Sequence, residues 1–95
     1  MPDIEKSDQY KKQAKEEISN YSSLDDILFD LEIMLAAQPS VKGSSHISED
    51  EWLFQMALRS NKSLVCQVFY KWDGNLEDVK IEFVGIRIKE GKLET

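Results

Sequence analysis

The chain has 95 residues, of which 41% are hydrophobic and 32% are charged, a composition typical of a folded domain rather than a disordered segment. Its 18 acidic and 12 basic residues give a net charge of −6, which disfavours nucleic acid and anionic membrane surfaces as partners. One cysteine excludes an internal disulfide, and no apolar run reaches the roughly 18 residues that a membrane span needs. We therefore expect a single cytoplasmic domain over residues 1–95, with no cofactor and no membrane segment.

Residues 1–22 are predicted to form a polar N-terminal helix. Its apolar line is narrow and consists of Tyr10, Ala14, Ile18 and Tyr21 at helical spacing. Lysine and glutamate occupy most of the other positions, so little of the surface is suited to burial. We expect this helix to lie at the periphery or to be frayed at its start.

Residues 23–60 are predicted to form two further helices. The first of them, helix two, begins after Ser23 and ends before Pro39, which disfavours helical geometry in the residue preceding it. Its core-facing stripe consists of Leu24, Ile27, Leu28, Leu31, Met34 and Leu35. Residues 39–47 are polar and contain Pro, Gly and Ser, which predicts a loop.

A third helix is predicted over about residues 49–60. Ser48 and Glu51 have the spacing of a capping box, and the acids at 49–51 suit the positive end of a helix dipole. The stripe of this helix consists of Trp52, Leu53, Met56 and Ala57.

Residues 63–95 change to a two-residue period, which predicts a β-hairpin or a meander. The inward side of the first strand consists of Leu64, Cys66, Val68, Tyr70 and Trp72. A turn at 73–75 leads to a second strand with a bulge at Val84 and Gly85, unless that strand ends there and a terminal hairpin follows. We favour pairing Tyr70 with Val79, because that register sets Lys71 opposite Asp78.

The predicted fold class is therefore α+β, with two to three N-terminal helices packed on one face of a small C-terminal antiparallel sheet of two or three strands. His46, in a serine-rich loop, and the inward Cys66 offer no nucleophile–base pair. Helix capping accounts for the acids at 49–51 without a metal. Basic residues on the outer sheet side are scattered, so a nucleic-acid surface is not predicted. For the reasons given above, neither an enzyme nor a metal site is predicted.

The negative charge is concentrated in residues 24–58, which hold seven acids and one base, and helix two carries the most informative part of it. Phe29, Ile33 and Ala36 fall on the side of helix two opposite its core-facing stripe. Asp25 and Glu32 flank them on one edge, and Asp26 and Asp30 flank them on the other. These seven residues either form a protein-binding surface, or helix one covers their apolar centre as an antiparallel hairpin.

The sequence therefore favours a small acidic protein-binding module that docks on a basic partner protein. An immunity protein or antitoxin that inhibits a toxin or nuclease is the most concrete version of this hypothesis. The alternative is a homodimeric or accessory subunit of a larger assembly with no activity of its own.

Overall fold

The computed structural model of the chain describes residues 3–21, 23–58 and 63–91. Within them, the elements in chain order are β1 (Asp3–Lys6), α1 (Asp8–Asn20), α2 (Leu24–Ala37), β2 (Ser44–Ser48), β3 (Glu51–Ala57), β4 (Leu64–Lys71) and β5 (Lys80–Glu90). The described strands form one sheet in the order β1-β5-β4-β3-β2, in which β1 is parallel to β5 and all other neighbours are antiparallel. The α+β prediction is confirmed, but the described sheet has five strands and is mixed.

The first correction concerns the N-terminal segment, which was predicted to be helical or frayed. Residues 3–6 instead form β1, which pairs in parallel with the start of β5. Ser7 then begins α1, because its side chain accepts a hydrogen bond from the Tyr10 N–H at 3.0 Å. All four residues of β1 are exposed, so no apolar pattern in the sequence indicated a strand.

The second correction concerns the predicted third helix, whose described part is the strand β3. Trp52, Phe54 and Met56 lie opposite Tyr70, Val68 and Cys66 of β4, and this long-range pairing decides between two local patterns that the sequence fits equally. The predicted loop also contains a strand, β2, which forms a hairpin with β3. Residues 59 and 60, the predicted end of helix three, lie outside the described residues.

The turn of this hairpin contains the acids that had indicated a helix N-terminus. Glu49 has a φ of 44°, a left-handed conformation that turns the chain from β2 into β3. Ser48 and Glu51 lie across the turn, with the Ser48 hydroxyl 3.4 Å from a Glu51 carboxylate oxygen. Their spacing was read as a capping box, but it serves a turn here.

The bulge predicted in β5 is confirmed, whereas the predicted register is wrong. Phe69 pairs with Gly85 and Tyr70 pairs with Phe83, which leaves Val84 as the extra residue. Lys71 lies opposite Glu82, so it does face an acid, although not Asp78. The possible terminal hairpin falls partly on residues 92–95, outside the described residues.

Both described helices pack on the same face of the sheet. The core between the layers includes Leu24, Leu28, Leu31 and Leu35 of α2, and Cys66, Val68, Tyr70, Ile81, Phe83 and Ile86 of the sheet. Tyr10 of α1 is 1% exposed and contacts Phe83, with the two ring centroids 5.4 Å apart. The side chains predicted to face inward from β4 do lie in this core or against it.

The free edge of β5 is covered by α1 beyond the point where β1 ends. The Gln13 side chain accepts a hydrogen bond from the Ile86 N–H, and the Glu17 carboxylate accepts one from the Ile88 N–H, each at 3.0 Å. These side chains take the place of a neighbouring strand, which protects the edge from pairing with another chain.

Candidate protein-binding surface

The side of α2 that faces away from the sheet carries two large apolar side chains in contact with solvent. Phe29 is 65% exposed and Ile33 is 53% exposed, whereas Leu28 and Leu31 on the other side are buried. Helix α1 therefore does not cover Phe29 and Ile33, and the alternative of an intramolecular hairpin over them is wrong. Side chains of this size on a protein surface are unusual when they lie together on one helix face.

The exposed apolar centre shares α2 with several carboxylates. Asp25, Asp26 and Asp30 are exposed on α2, whose first turn contains the first two of them and whose last turn contains no base. No salt bridge involves any of these three carboxylates within the described residues. We call Asp25, Asp26, Phe29, Asp30 and Ile33 the acidic strip.

Glu32 was predicted to belong to this surface, but its carboxylate is occupied within the molecule. It accepts a hydrogen bond from the Tyr10 hydroxyl at 2.7 Å and forms a salt bridge with Lys6 at 2.8 Å. The Glu32 side chain is only 14% exposed. Burial, together with this carboxylate, raises the pKa of Tyr10 well above its usual value. Glu32 therefore ties α2 to β1 and α1 and is not free to attract a partner.

Ala36 is the second predicted surface residue that the structure places elsewhere. It is 3% exposed and lies in the core, whereas Met34, which the sequence placed in the buried stripe, is 37% exposed. The two assignments are exchanged because helical periodicity alone does not define which residues at the edges of the stripe meet the core. Ile33 and Met34 extend the exposed apolar surface towards the end of the helix.

A cleft of about 380 Å³ separates α1 from α2 beside Phe29. Ile18 and Lys15 line its α1 wall, and Asp25 lines its α2 wall. One wall therefore carries lysine and the other aspartate, so the two edges of the acidic strip differ. Asp26 and Asp30 do not line the cleft, which makes them the carboxylates best separated from the basic wall.

Cys66 and His46 are the residues that had been weighed for catalysis. Cys66 is fully buried, and burial raises the pKa of its thiol to about 12, so the reactive thiolate is disfavoured. His46 stacks on Trp52 with centroids 4.8 Å apart, and its Nε2 lies 2.5 Å from the Glu49 carbonyl oxygen. Residues 3–21, 23–58 and 63–91 contain no cluster of His, Cys, Asp or Glu suited to a metal ion.

Comparison of the chain with protein-family models, with curated proteins and with solved structures finds no match in any of the three. Neither described helix is both long enough and apolar enough to cross a membrane.

Proposed function

We propose that this chain is a small protein-binding module whose acidic strip docks on a basic partner protein. The observation that carries the proposal is the exposure of Phe29 and Ile33, at 65% and 53%, on a helix whose opposite side is buried. An apolar centre bordered by polar groups is the arrangement found in protein interfaces. The most concrete version is an immunity-type or antitoxin-type inhibitor that covers the basic surface of a toxin or nuclease.

The apolar centre supplies the affinity in this proposal. Burying the exposed parts of Phe29 and Ile33 against a partner would contribute roughly 3–5 kcal/mol before the entropy costs of association, at about 25 cal/mol per Å². Loss of such contacts typically accelerates dissociation.

The carboxylates supply the choice of partner. Asp26 and Asp30 lie on the edge away from the lysine-bearing cleft, so a partner's arginine or lysine side chains would meet them without repulsion from α1. Exposed charges of this kind raise the rate of encounter more than they raise the affinity, and salt screens them.

The test is affinity capture from a native lysate with matched variants of the full chain as bait. Wild type should capture a basic protein that Phe29→Ala and Ile33→Ala both lose. Lys12→Ala, which changes an exposed residue on α1, should capture it as wild type does. A captured set that is the same for all four baits, or that contains no basic protein sensitive to Phe29, would contradict the proposal.

A further inference from the structure

The sheet face opposite the helices, which we call the outer face, carries an ordered row of polar side chains across three strands. Gln55 of β3, Gln67 of β4 and Arg87 of β5 lie directly opposite one another in register. The Gln67 amide donates to the Gln55 side-chain oxygen at 2.8 Å, and its own oxygen accepts from the Arg87 Nε at 2.5 Å. Gln67 is only 4% exposed, and Val65, on the same side of β4, is 0% exposed.

Arg87 is held by a second contact beside this row. Its guanidinium carbon lies 5.8 Å from the centroid of the Phe69 ring, over the ring face. The strand partner of Phe69 is Gly85, where an added Cβ would lie 3.8 Å from Phe69 Cδ2 and 3.1 Å from the Gln13 side-chain oxygen. The Arg87 guanidinium is therefore held by two contacts. Gln67 accepts the hydrogen bond from its Nε, and the Phe69 ring lies against its face.

The remaining donors of Arg87 take part in no salt bridge within the described ranges. Its side chain is exposed. The hydrogen bond to Gln67 uses Nε and neither of the two terminal nitrogens. Ordering a free arginine side chain costs conformational entropy when it binds a carboxylate. Arg87 is already ordered by its two contacts, so a bidentate bond to a carboxylate should cost less entropy here.

The charge on the outer face is also uneven from row to row. Lys71 lies between Glu51 and Glu82, so positive charge in that row is more than balanced by acids. Lys89 lies in a row with Val65 and Ala57, and Arg87 in a row with two glutamines, so no acid of β3 or β4 lies opposite these bases. The Glu17 carboxylate of α1 accepts the Ile88 N–H between them, so this end of β5 carries two bases beside one acid.

We propose that the outer face is a second binding surface, which takes a carboxylate-bearing segment of an acidic partner protein. Arg87 binds the carboxylate through its two terminal nitrogens, and the half-buried Leu53 and Phe69 contact the apolar side chains beside it. Arginine and aromatic residues are the types most enriched in binding hot spots. The outer face lies on the layer opposite the acidic strip, so this proposal does not depend on the proposed function of α2.

The experiment is an NMR titration of the isotope-labelled full chain with a peptide of about ten glutamates at 150 mM salt. The Arg87 Nε–H signal and the Gln67 side-chain amide signals should shift together. Arg87→Gln should raise the apparent Kd at least about tenfold, and Arg87→Lys should raise it severalfold, because lysine keeps the charge but loses the planar fork. Lys12→Gln makes the same charge change on α1 and should leave the Kd within about twofold.

Inorganic phosphate and a ten-residue oligothymidylate serve as the competing probes. Tighter binding of the oligonucleotide at Arg87 would overturn the proposal in favour of a nucleic-acid surface. Phosphate binding as tight as that of the peptide would overturn it in favour of a site for small anions. Equal losses for Arg87→Gln and Lys12→Gln would show that the peptide responds only to net charge, which also overturns it.

Discussion

At the scale of single residues, the clearest physical expectation concerns Cys66. Its side chain is fully buried, and burial raises the pKa of the thiol to about 12, well above the usual value near 8.5. At pH 8 the native thiol should therefore react with an aromatic disulfide reagent at least about 100-fold more slowly than the thiol of the urea-unfolded chain. A native rate within about threefold of the unfolded rate would show that the thiol is accessible.

The raised pKa of Cys66 also predicts how the free energy of unfolding changes with pH. Because the folded thiol holds its proton more tightly than the unfolded thiol, its contribution is complete below about pH 8.5 and is lost as pH rises towards 12. The free energy of unfolding should fall over this range, and the fall should be shallower in Cys66→Ala. Tyr10 and Tyr70, whose pKa values burial also raises, add to the decline above about pH 10 in both proteins.

Neighbouring residues of α2 provide a second comparison at this scale. Phe29 is 65% exposed and Leu28 is 4% exposed, so truncating Leu28 should cost far more stability than truncating Phe29. Phe29→Ala should unfold in urea within about 0.5 kcal/mol of wild type, whereas Leu28→Ala should lose about 2–4 kcal/mol. A loss above about 2 kcal/mol for Phe29→Ala would mean that Phe29 is part of the core and would remove the apolar centre of the proposed interface.

At the scale of elements, the sequence predicts best where local periodicity agrees with long-range pairing. Helix α2 and strand β4 each have a clear period, and both lie where the sequence predicted. Strand β3 was predicted to be a helix, because Trp52 and Met56 fit a helical stripe as well as an alternating strand. Only the pairing of β3 with β4 distinguishes the two. Strand β1 has no pattern at all, because its exposed residues depend on backbone pairing with β5.

The candidate site follows the same rule. The helical wheel placed Phe29 and Ile33 opposite the leucine stripe, but it left open whether helix one covers them, and the structure shows them exposed. The burial of Ala36 and the bonding of Glu32 to Tyr10 depend on how α2 meets α1 and the sheet, which no local pattern contains. The row around Arg87 was missed because it requires the register of three strands.

The hydrogen bond between the Gln13 side chain of α1 and the Ile86 N–H of β5 should stabilise the edge of the sheet. Gln13→Ala should leave the Ile86 N–H without its acceptor and should lower the free energy of unfolding by about 1–2 kcal/mol. Gln9→Ala makes the same substitution at an exposed position of the same helix and should cost less than about 0.5 kcal/mol. Hydrogen exchange should also become faster at Ile86 in Gln13→Ala. Equal stability of the two variants would mean that solvent satisfies this N–H.

At the scale of the whole molecule, the charge distribution bears on self-association. A contact between the α2 helices of two copies would bring Asp25, Asp26 and Asp30 of each copy close to the same carboxylates of the other. Like charges at such a contact are unfavourable, most of all at low salt. The protein should therefore sediment as an 11.0 kDa monomer in about 20 mM salt. A dimer that forms at low salt and dissociates as salt is added would instead favour the homodimeric alternative.

The most direct measurement of the central claim is the binding kinetics of the full chain with the basic protein that it captures, recorded for three variants. Phe29→Ala should raise the dissociation rate at least about tenfold with little change in association. The combined Asp25→Asn, Asp26→Asn and Asp30→Asn variant should slow association, and about 0.5 M salt should slow wild type in the same way. Arg87→Gln, on the opposite layer, should bind as wild type does. Unchanged rates in the first two variants would contradict the assignment of the acidic strip as the interface.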